Sequence, residues 1–242
     1  MKRLFDIIIS LTGLIFIAPL LFPVMLLIWR QDRHSPLYIA PRIGLGGRPF
    51  NMVKLRSMVI NADKTGVDST SADDTRITAV GRFIRRSKLD EISQLWNVFV
   101  GDMSLVGPRP NVKRETDLYT KEEKKLLLVR PGITDFASIV FSDEGDVLLG
   151  KQDPDLAYNQ LIRPYKSQLG LFYIEKHSFL LDVRVCILTA VAIVSRETAL
   201  KQVAISLNNY GADPKLVDIA RRKKPLLPAA PPGAKKIITS RT

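Results

Sequence analysis

The sequence predicts an α+β fold, mainly helical: an N-terminal re-entrant membrane helix, then a small cytoplasmic globular domain carrying interfacial amphipathic helices. Three observations predict it. A run of 23 uncharged residues near the start lies between two pairs of basic residues. Between 36 and 60, prolines and glycines cut the chain into turns and short extended segments. Further on, apolar residues recur at helical spacing in one segment after another.

The uncharged run, Ile7 to Trp29, is long enough to cross a bilayer, which takes about 20 apolar residues. Arg30, Asp32 and Arg33 follow at once with no small-residue cleavage site, so the run reads as an anchor and not as a cleaved leader. Lys2 and Arg3 flank one end, Arg30 and Arg33 the other, and positive charge stays on the cytoplasmic side. Pro19 and Pro23 each remove a backbone hydrogen bond in mid-run. A helix that enters, breaks at Ala18-Pro19 and returns to the same face meets both constraints. A kinked spanning helix meets only the second. Ser10 and Thr12 are the hydroxyls available to a freed backbone group.

From 36 to 60, Phe50 to Val53 reads as a strand. Lys54 and Arg56 alternate with Leu55 and share one side of an extended chain. Asn61 to Thr75, rich in Asp, Ser and Thr, reads as a mobile loop.

Residues 85–110, RRSKLDEISQLWNVFVGDMSLVGPRP, are the most informative stretch. Ser87 followed three residues later by Asp90 fits a capping box at a helix start. Leu89, Ile92, Leu95, Trp96 and Phe99 form an apolar face; Asp90, Gln94, Asn97 and Gly101 form a polar or small one. Asp90 and Glu91 then sit in a first turn, where the helix dipole favours negative charge and free N–H groups attract phosphate. On one continuous helix Arg86 shares the face of Asp90. With Ser87 as cap, Arg85 and Arg86 belong to the preceding turn and either folds over the carboxylates. Taken alone, such a pair is more often a solvated helix start than a site. The run closes on the stiff arginine turn Gly107-Pro108-Arg109-Pro110, and Arg130-Pro131-Gly132-Ile133 is a second.

Asn111 to Val129 is charged, then helical in pattern; Asp153 to Tyr165 and Ser167 to Phe179 read as amphipathic helices. Val185 to Val194 is too short to span and belongs to the core or to the membrane interface. Residues 206–242 read as a basic, proline-rich extension, partly disordered, suited to anionic headgroups. The chain thus divides into an anchor at 1–33, a globular domain at 34–205 and the extension.

Composition narrows the chemistry. Lys and Arg number 36 against 24 Asp and Glu, a formal charge of +12, and seven of the basic residues fall in the acid-free stretch from Arg221 to Thr242. A basic nucleic-acid binder is disfavoured, because aromatics are not interleaved with the basic patches and a membrane segment leads the chain. One cysteine, Cys186, excludes an internal disulfide; two distant histidines, His34 and His177, give no zinc site. A metal here would be a hard, oxygen-liganded cation such as Mg²⁺.

Together these residues resemble the monotopic polyprenyl-phosphate phosphoglycosyl transferases, the bacterial sugar transferase family. The resemblance runs through Lys2-Arg3-Leu4-Phe5-Asp6, Lys54-Leu55-Arg56-Ser57-Met58, Leu89-Asp90-Glu91, the run 101–110, Arg130-Pro131-Gly132-Ile133-Thr134 and Ser178-Phe179-Leu180-Leu181-Asp182. It implies transfer of a sugar 1-phosphate from a UDP-sugar to polyprenyl (undecaprenyl) phosphate at the cytoplasmic face of the inner membrane. UMP leaves, and the product enters surface glycan assembly alongside later glycosyltransferases. It implies Asp90 as nucleophile and Mg²⁺ ligand, and Glu91 as ligand or acid/base. Lys54, Arg56, Arg85, Arg109 and Arg130 would be phosphate or nucleotide binders, with Arg85 favoured over Arg86. Ala18-Pro19 would be the break of the membrane helix. The alternative is a non-catalytic membrane scaffold of a glycan assembly complex. Two departures stand out: Ala18 where many members have serine, and Asp135-Phe136 where Gly-Trp is common. Residues 137–175 diverge most, which ties the identity of the sugar to that stretch.

Overall fold

The computed structural model describes residues 1–66 and 69–240; Val67 and Asp68 of the polar loop and Arg241 and Thr242 of the tail lie outside the described residues. The fold is mainly helical with two small sheets, as expected.

The apolar run forms one helix, α1 (Lys2–Asp32), with both prolines inside it. Its two ends are fastened to the same globular body. At the start, Lys2 Nζ donates to Asp182 Oδ2 (2.8 Å) and to the Val106 carbonyl (3.0 Å). The Arg3 guanidinium donates to the carbonyls of Val98 (2.5 Å) and Phe99 (2.7 Å). Buried Asp6 accepts from the Leu105 N–H (3.0 Å) and the Ser104 hydroxyl (3.2 Å). At the far end, Val24 and Ile28 pack into a cluster with Leu55, Ile84 and Leu89, and Arg56 grips Asp32 with Nη2 2.7 Å from Oδ1. Between them a Cβ on Gly13 would come within 2.8 Å of Leu95, while Ala18, Pro19 and Leu20 are exposed. Ile8, Ile15, Phe16, Phe22 and Leu26 turn an apolar face outward.

β1 (Leu37–Ile43) and β2 (Pro49–Leu55) form an antiparallel hairpin, Leu37 opposite Leu55 and Ile43 opposite Pro49. α2 (Ala79–Arg86) follows, capped by Thr78, whose hydroxyl accepts from the Gly81 N–H. The expected capping box is not formed. Ser87 ends α2, its hydroxyl donating to the Phe83 and Ile84 carbonyls, and Lys88 turns the chain at φ 57°. The single helix expected beyond it is two short ones, α3 (Leu89–Ile92) and α4 (Leu95–Val100). At the break, the Ser93 hydroxyl donates to the Asp90 carbonyl (2.9 Å). The middle of the polar face, Gln94 and Asn97, is buried: Asn97 accepts from the Val53 N–H (2.8 Å) and donates to the Asn51 carbonyl (2.7 Å), filling the strand's open edge.

β3 (Ser104–Val106), then α5 (Lys113–Asp117), then β4 (Gly132–Thr134) complete this half, and β3 and β4 pair in parallel. Their pairing presses the two arginine turns together, backbone to backbone. Gly132 N–H donates to the Pro108 carbonyl and Gly107 N–H to that of Thr134, each at 3.0 Å. A Cβ on Gly132 would lie 2.1 Å from the Gly107 nitrogen.

The second half is helical: α6 (Phe136–Val140), α7 (Glu144–Leu148), α8 (Pro154–Leu161), α9 (Arg163–Lys176), α10 (Phe179–Val194), α11 (Arg196–Asn209) and α12 (Pro214–Arg221). Phe136, Leu169, Leu181, Val203, Leu207 and Leu216 join one core across five of these helices. The apolar run 185–194 lies in α10, where Val185 and Leu188 belong to the core and Ile187 and Ile193 are exposed. Residue 205 falls inside α11, and the extension expected to be loose is a packed strap. Tyr165 Oη donates to the Leu227 carbonyl (2.7 Å), the Ala229 N–H to that of Gln160 (3.0 Å), and Gln160 Nε2 to that of Ile238 (2.7 Å). Its four prolines, Pro225, Pro228, Pro231 and Pro232, favour an extended chain and lower the entropy lost on docking.

Gly132→Ala is expected to lower stability by about 1–3 kcal/mol, because the added methyl must push two hydrogen-bonded backbones apart. Thermal unfolding of the detergent-solubilised protein checks it; an unchanged midpoint would contradict the packing described.

Candidate active site

A cleft of about 1890 Å³ runs between the hairpin, α2–α3 and the helices of the second half. Strand β2 carries Lys54 into it, the end of α2 carries Arg85 and Arg86, α3 carries Asp90 and Glu91, and the turn after β3 carries Arg109. The left-handed turn at Lys88 is what brings the end of α2 and the acidic turn of α3 to one cleft.

Glu91 and Arg109 form the closest contact of this group, Oε1 to Nη1 at 3.2 Å. Burial works against the Glu91 charge, but the attraction of Arg109, Lys88 and Lys54 outweighs it and holds the carboxyl below its usual range. The same attraction raises Arg109 further above neutrality, so both stay charged. Lys54 behaves differently. Burial, with the repulsion of Arg109 and Arg42, brings its ammonium down to about 7, against the pull of Asp90 and Glu91. Asp90 thus shares the cleft with Arg109, which stays charged, and with Lys54, which is half protonated near neutral pH.

Two expected site residues sit differently. Arg56 follows the last residue of β2, and its guanidinium is taken by Asp32 and the Ser35 carbonyl (2.8 Å), so it fastens α1 at the rim of the cleft. Arg130 is exposed and donates to the Gly101 carbonyl (3.0 Å), beside the Arg3 pin and outside the cleft lining. Arg42 lines the cleft and was not singled out in the sequence. Pro41 and Gly44 flank it as proline and glycine flank Arg109 and Arg130, a signal that could have found it.

Residues 1–196 match the bacterial sugar transferase family. The chain belongs to that family. Among similar proteins, the UDP-glucose:undecaprenyl-phosphate glucose-1-phosphate transferase of Xanthomonas campestris pv. campestris is 35% identical over 202 residues, 82% of this chain and 40% of that protein. The undecaprenyl-phosphate galactose phosphotransferase of Salmonella typhimurium is 40% identical over 152 residues, 55% of this chain and 31% of that protein. The uncharacterized sugar transferase EpsL of Bacillus subtilis is 34% identical over 195 residues, 78% of this chain and 85% of that protein. The chain thus spans well under half of the first two and most of the third. Most of α11, all of α12 and the strap lie beyond the residues matched to the family.

The carboxylates suit a divalent cation. Among the described residues no three His, Cys, Asp or Glu side chains cluster as a metal cage. Mg²⁺ does not need one, since it typically takes one or two carboxylates and completes its shell with water and substrate phosphates. Asp90 and Glu91, adjacent and open to one cleft, supply that number of oxygen donors.

The Lys54 value gives a pH dependence with a definite sign. Below pH 7 Lys54 carries a charge that attracts phosphate; above it that charge is lost, and anion binding weakens as pH rises. Inorganic diphosphate binding, followed by calorimetry from pH 6 to 8.5, is expected to weaken by up to about tenfold per unit above the midpoint, the limit for one coupled proton. Lys54→Met should remove this slope; a slope that persists in the variant would assign it to another group.

Proposed function

We propose that the protein transfers a sugar 1-phosphate from a UDP-sugar to polyprenyl phosphate, giving polyprenyl diphosphate-sugar and UMP. The observation that carries this reading is the pair Asp90 and Glu91 opening, with Lys54 and Arg109, into one cleft beside a docked apolar helix. Membership of the family supports it, as do the activities for which the relatives are named.

In this reading an Asp90 carboxylate oxygen attacks the β-phosphorus of the UDP-sugar. The bond from that phosphorus to the bridging oxygen breaks, the oxygen leaves with UMP, and the sugar phosphate stays on Asp90 as an acyl phosphate. A phosphate oxygen of the polyprenyl acceptor then attacks the same phosphorus and releases the Asp90 carboxylate. Arg109 and protonated Lys54 offset the charge of the approaching diphosphate, and Arg109 orients Glu91. Arg85, at the mouth of the cleft, assists in holding phosphate. Mg²⁺ bound by Asp90 and Glu91 would neutralise phosphate charge.

The same reading sets the protein on the cytoplasmic face of the inner membrane as a monotopic anchor. Lys2, Arg3 and Asp6 at one end of α1 and Asp32 at the other bind a single charged body. A body of this kind does not sit on both sides of a bilayer, so a straight crossing would have to break one set of contacts. α1 is helical through Ala18-Pro19, which is exposed; in this reading the helix bends there in the bilayer and its outward apolar face meets phospholipid. The product feeds surface glycan assembly, where later glycosyltransferases extend it.

Purified protein given undecaprenyl phosphate, Mg²⁺ and a panel of UDP-sugars is expected to release UMP from at least one of them. Asp90→Asn should lower that rate by a factor on the order of 10⁴ or more, as loss of a covalent nucleophile does. Undiminished turnover in the variant would exclude Asp90 as nucleophile. For the topology, Leu4→Cys and His34→Cys in a Cys186→Ser background should both react with an impermeant thiol reagent from the cytoplasmic side. Labelling of the two from opposite sides would sink the monotopic reading.

A further inference from the structure

One wall of the cleft comes from the helices of the second half. Ser138 of α6, Glu144 of α7, Tyr158 of α8 and Lys166 of α9 line the cleft that holds Asp90 and Arg109. Glu144 and Lys166 form an ion pair, and the Lys166 ammonium lies 5.4 Å from the centre of the Tyr158 ring. Arg109 links this wall to the carboxylates. On one side it contacts Glu91 at 3.2 Å; on the other it shares a side cavity of about 40 Å³ with Lys166, Ser138 and Tyr158. The field of Glu144 also reaches it.

The wall is braced from outside. Asp143 Oδ2, next to Glu144, accepts from Arg196 (2.9 Å) and Arg222 (2.8 Å). Arg196 also donates to the Ser142 hydroxyl (3.0 Å) and the Val140 carbonyl (3.2 Å), and the Arg222 guanidinium lies 5.4 Å from the Phe141 ring centre. Arg196 is the last residue matched to the family and Arg222 lies beyond it, at the end of α12.

We infer that Glu144 and Lys166 recognise hydroxyl groups of the donor's sugar ring, and that Arg196 and Arg222 position them by clamping Asp143. The inference rests on the phosphoglycosyl transferase reading. Arg109 borders both the carboxylates and this wall, so the group bonded to a phosphate held at Asp90 and Arg109 comes beside Ser138, Tyr158 and Lys166. A carboxylate accepts and an ammonium donates, so the pair offers a neighbouring donor and acceptor to two hydroxyls of a hexose. A uracil ring would need an open stacking face, and the Tyr158 ring already carries Lys166. Sites that hydrogen-bond a substrate hydroxyl discriminate strongly against analogues lacking it, because their own polar groups are left unpaired.

The test uses the full chain and UMP release from UDP-glucose, UDP-galactose and their N-acetylamino counterparts. Lys166→Met and Glu144→Gln are expected to lower kcat/KM for the preferred donor at least about tenfold and to change the ratio among donors, with the inhibition constant of UMP within about twofold of wild type. Arg222→Ala should raise KM for the donor with kcat little changed, and Arg222→Lys should restore most of it. An unaltered donor ratio overturns the inference, as does a UMP inhibition constant that rises in step with KM, which would assign the wall to the nucleoside. Unchanged KM in Arg222→Ala overturns the clamp. A wild-type protein that releases UMP from none of the donors overturns the enzymatic reading itself, and the inference falls with it.

Discussion

Asp6 lies about one turn into an apolar helix, yet its carboxylate is buried against the start of β3, where it takes up the Leu105 N–H and the Ser104 hydroxyl. Lys2 and Arg3 make equally specific bonds on either side. A hydrogen bond to a charged group contributes about 1.5–3 kcal/mol, and removing either partner strands the other in a dry site. These pins fix where α1 begins relative to α4 and β3. The Arg56–Asp32 pair and the cluster of Val24, Ile28, Leu55, Ile84 and Leu89 fix where it ends. α1 thus meets β3, which leads into the Arg109 turn, at its start, and β2, α2 and α3, which carry Lys54, Arg85, Asp90 and Glu91, at its end. The anchor is therefore a structural member of the site and not a tether appended to it.

Within that frame the charge balance of the cleft depends on Arg109. It stands between two carboxylates, Glu91 at 3.2 Å and Glu144 further off, and its position is set by backbone. Gly107 and Gly132 let two chains meet at distances no side chain allows, and the flanking prolines stiffen the turn. A guanidinium on so rigid a mount keeps Glu91 ionised and lowers the proton affinity of Lys54. Beside Glu91 the cleft thus pairs a permanent cation, Arg109, with an ammonium, Lys54, whose charge adjusts near neutral pH.

Much of this was legible in the sequence, and the failures have physical causes. Uncharged length and flanking charge marked α1, and the two Pro-Gly arginine turns announced a rigid mount. The Ser87–Asp90 spacing matched a capping box, but Ser87 bonds back into α2 and a non-glycine residue, Lys88, takes the left-handed turn. Nothing local in Lys88 announces that conformation; tertiary packing of Leu89 and Ile84 imposes it. Alternation correctly paired Lys54 with Arg56 along the chain, but β2 stops at Leu55, and one residue past it Arg56 meets Asp32, 24 positions away. The strap looked disordered because its composition is proline-rich and basic. Its bonds are donated largely by Thr120, Gln160 and Tyr165 to strap carbonyls, and proline supplies a carbonyl as well as any residue.

The cleft lining joins charged side chains such as Lys54, Asp90 and Arg109 with apolar ones, Leu95, Leu105, Ile133, Cys186 and Ile193. Ile193 belongs to α10, whose Ile187 and Val194 are also exposed, and Leu95 lies against α1 at Gly13. In the proposed reading the two substrates share only their phosphates. A lining that joins charged and apolar side chains would then let a soluble nucleotide donor and a lipid phosphate acceptor each keep the rest of its bulk in a medium that suits it.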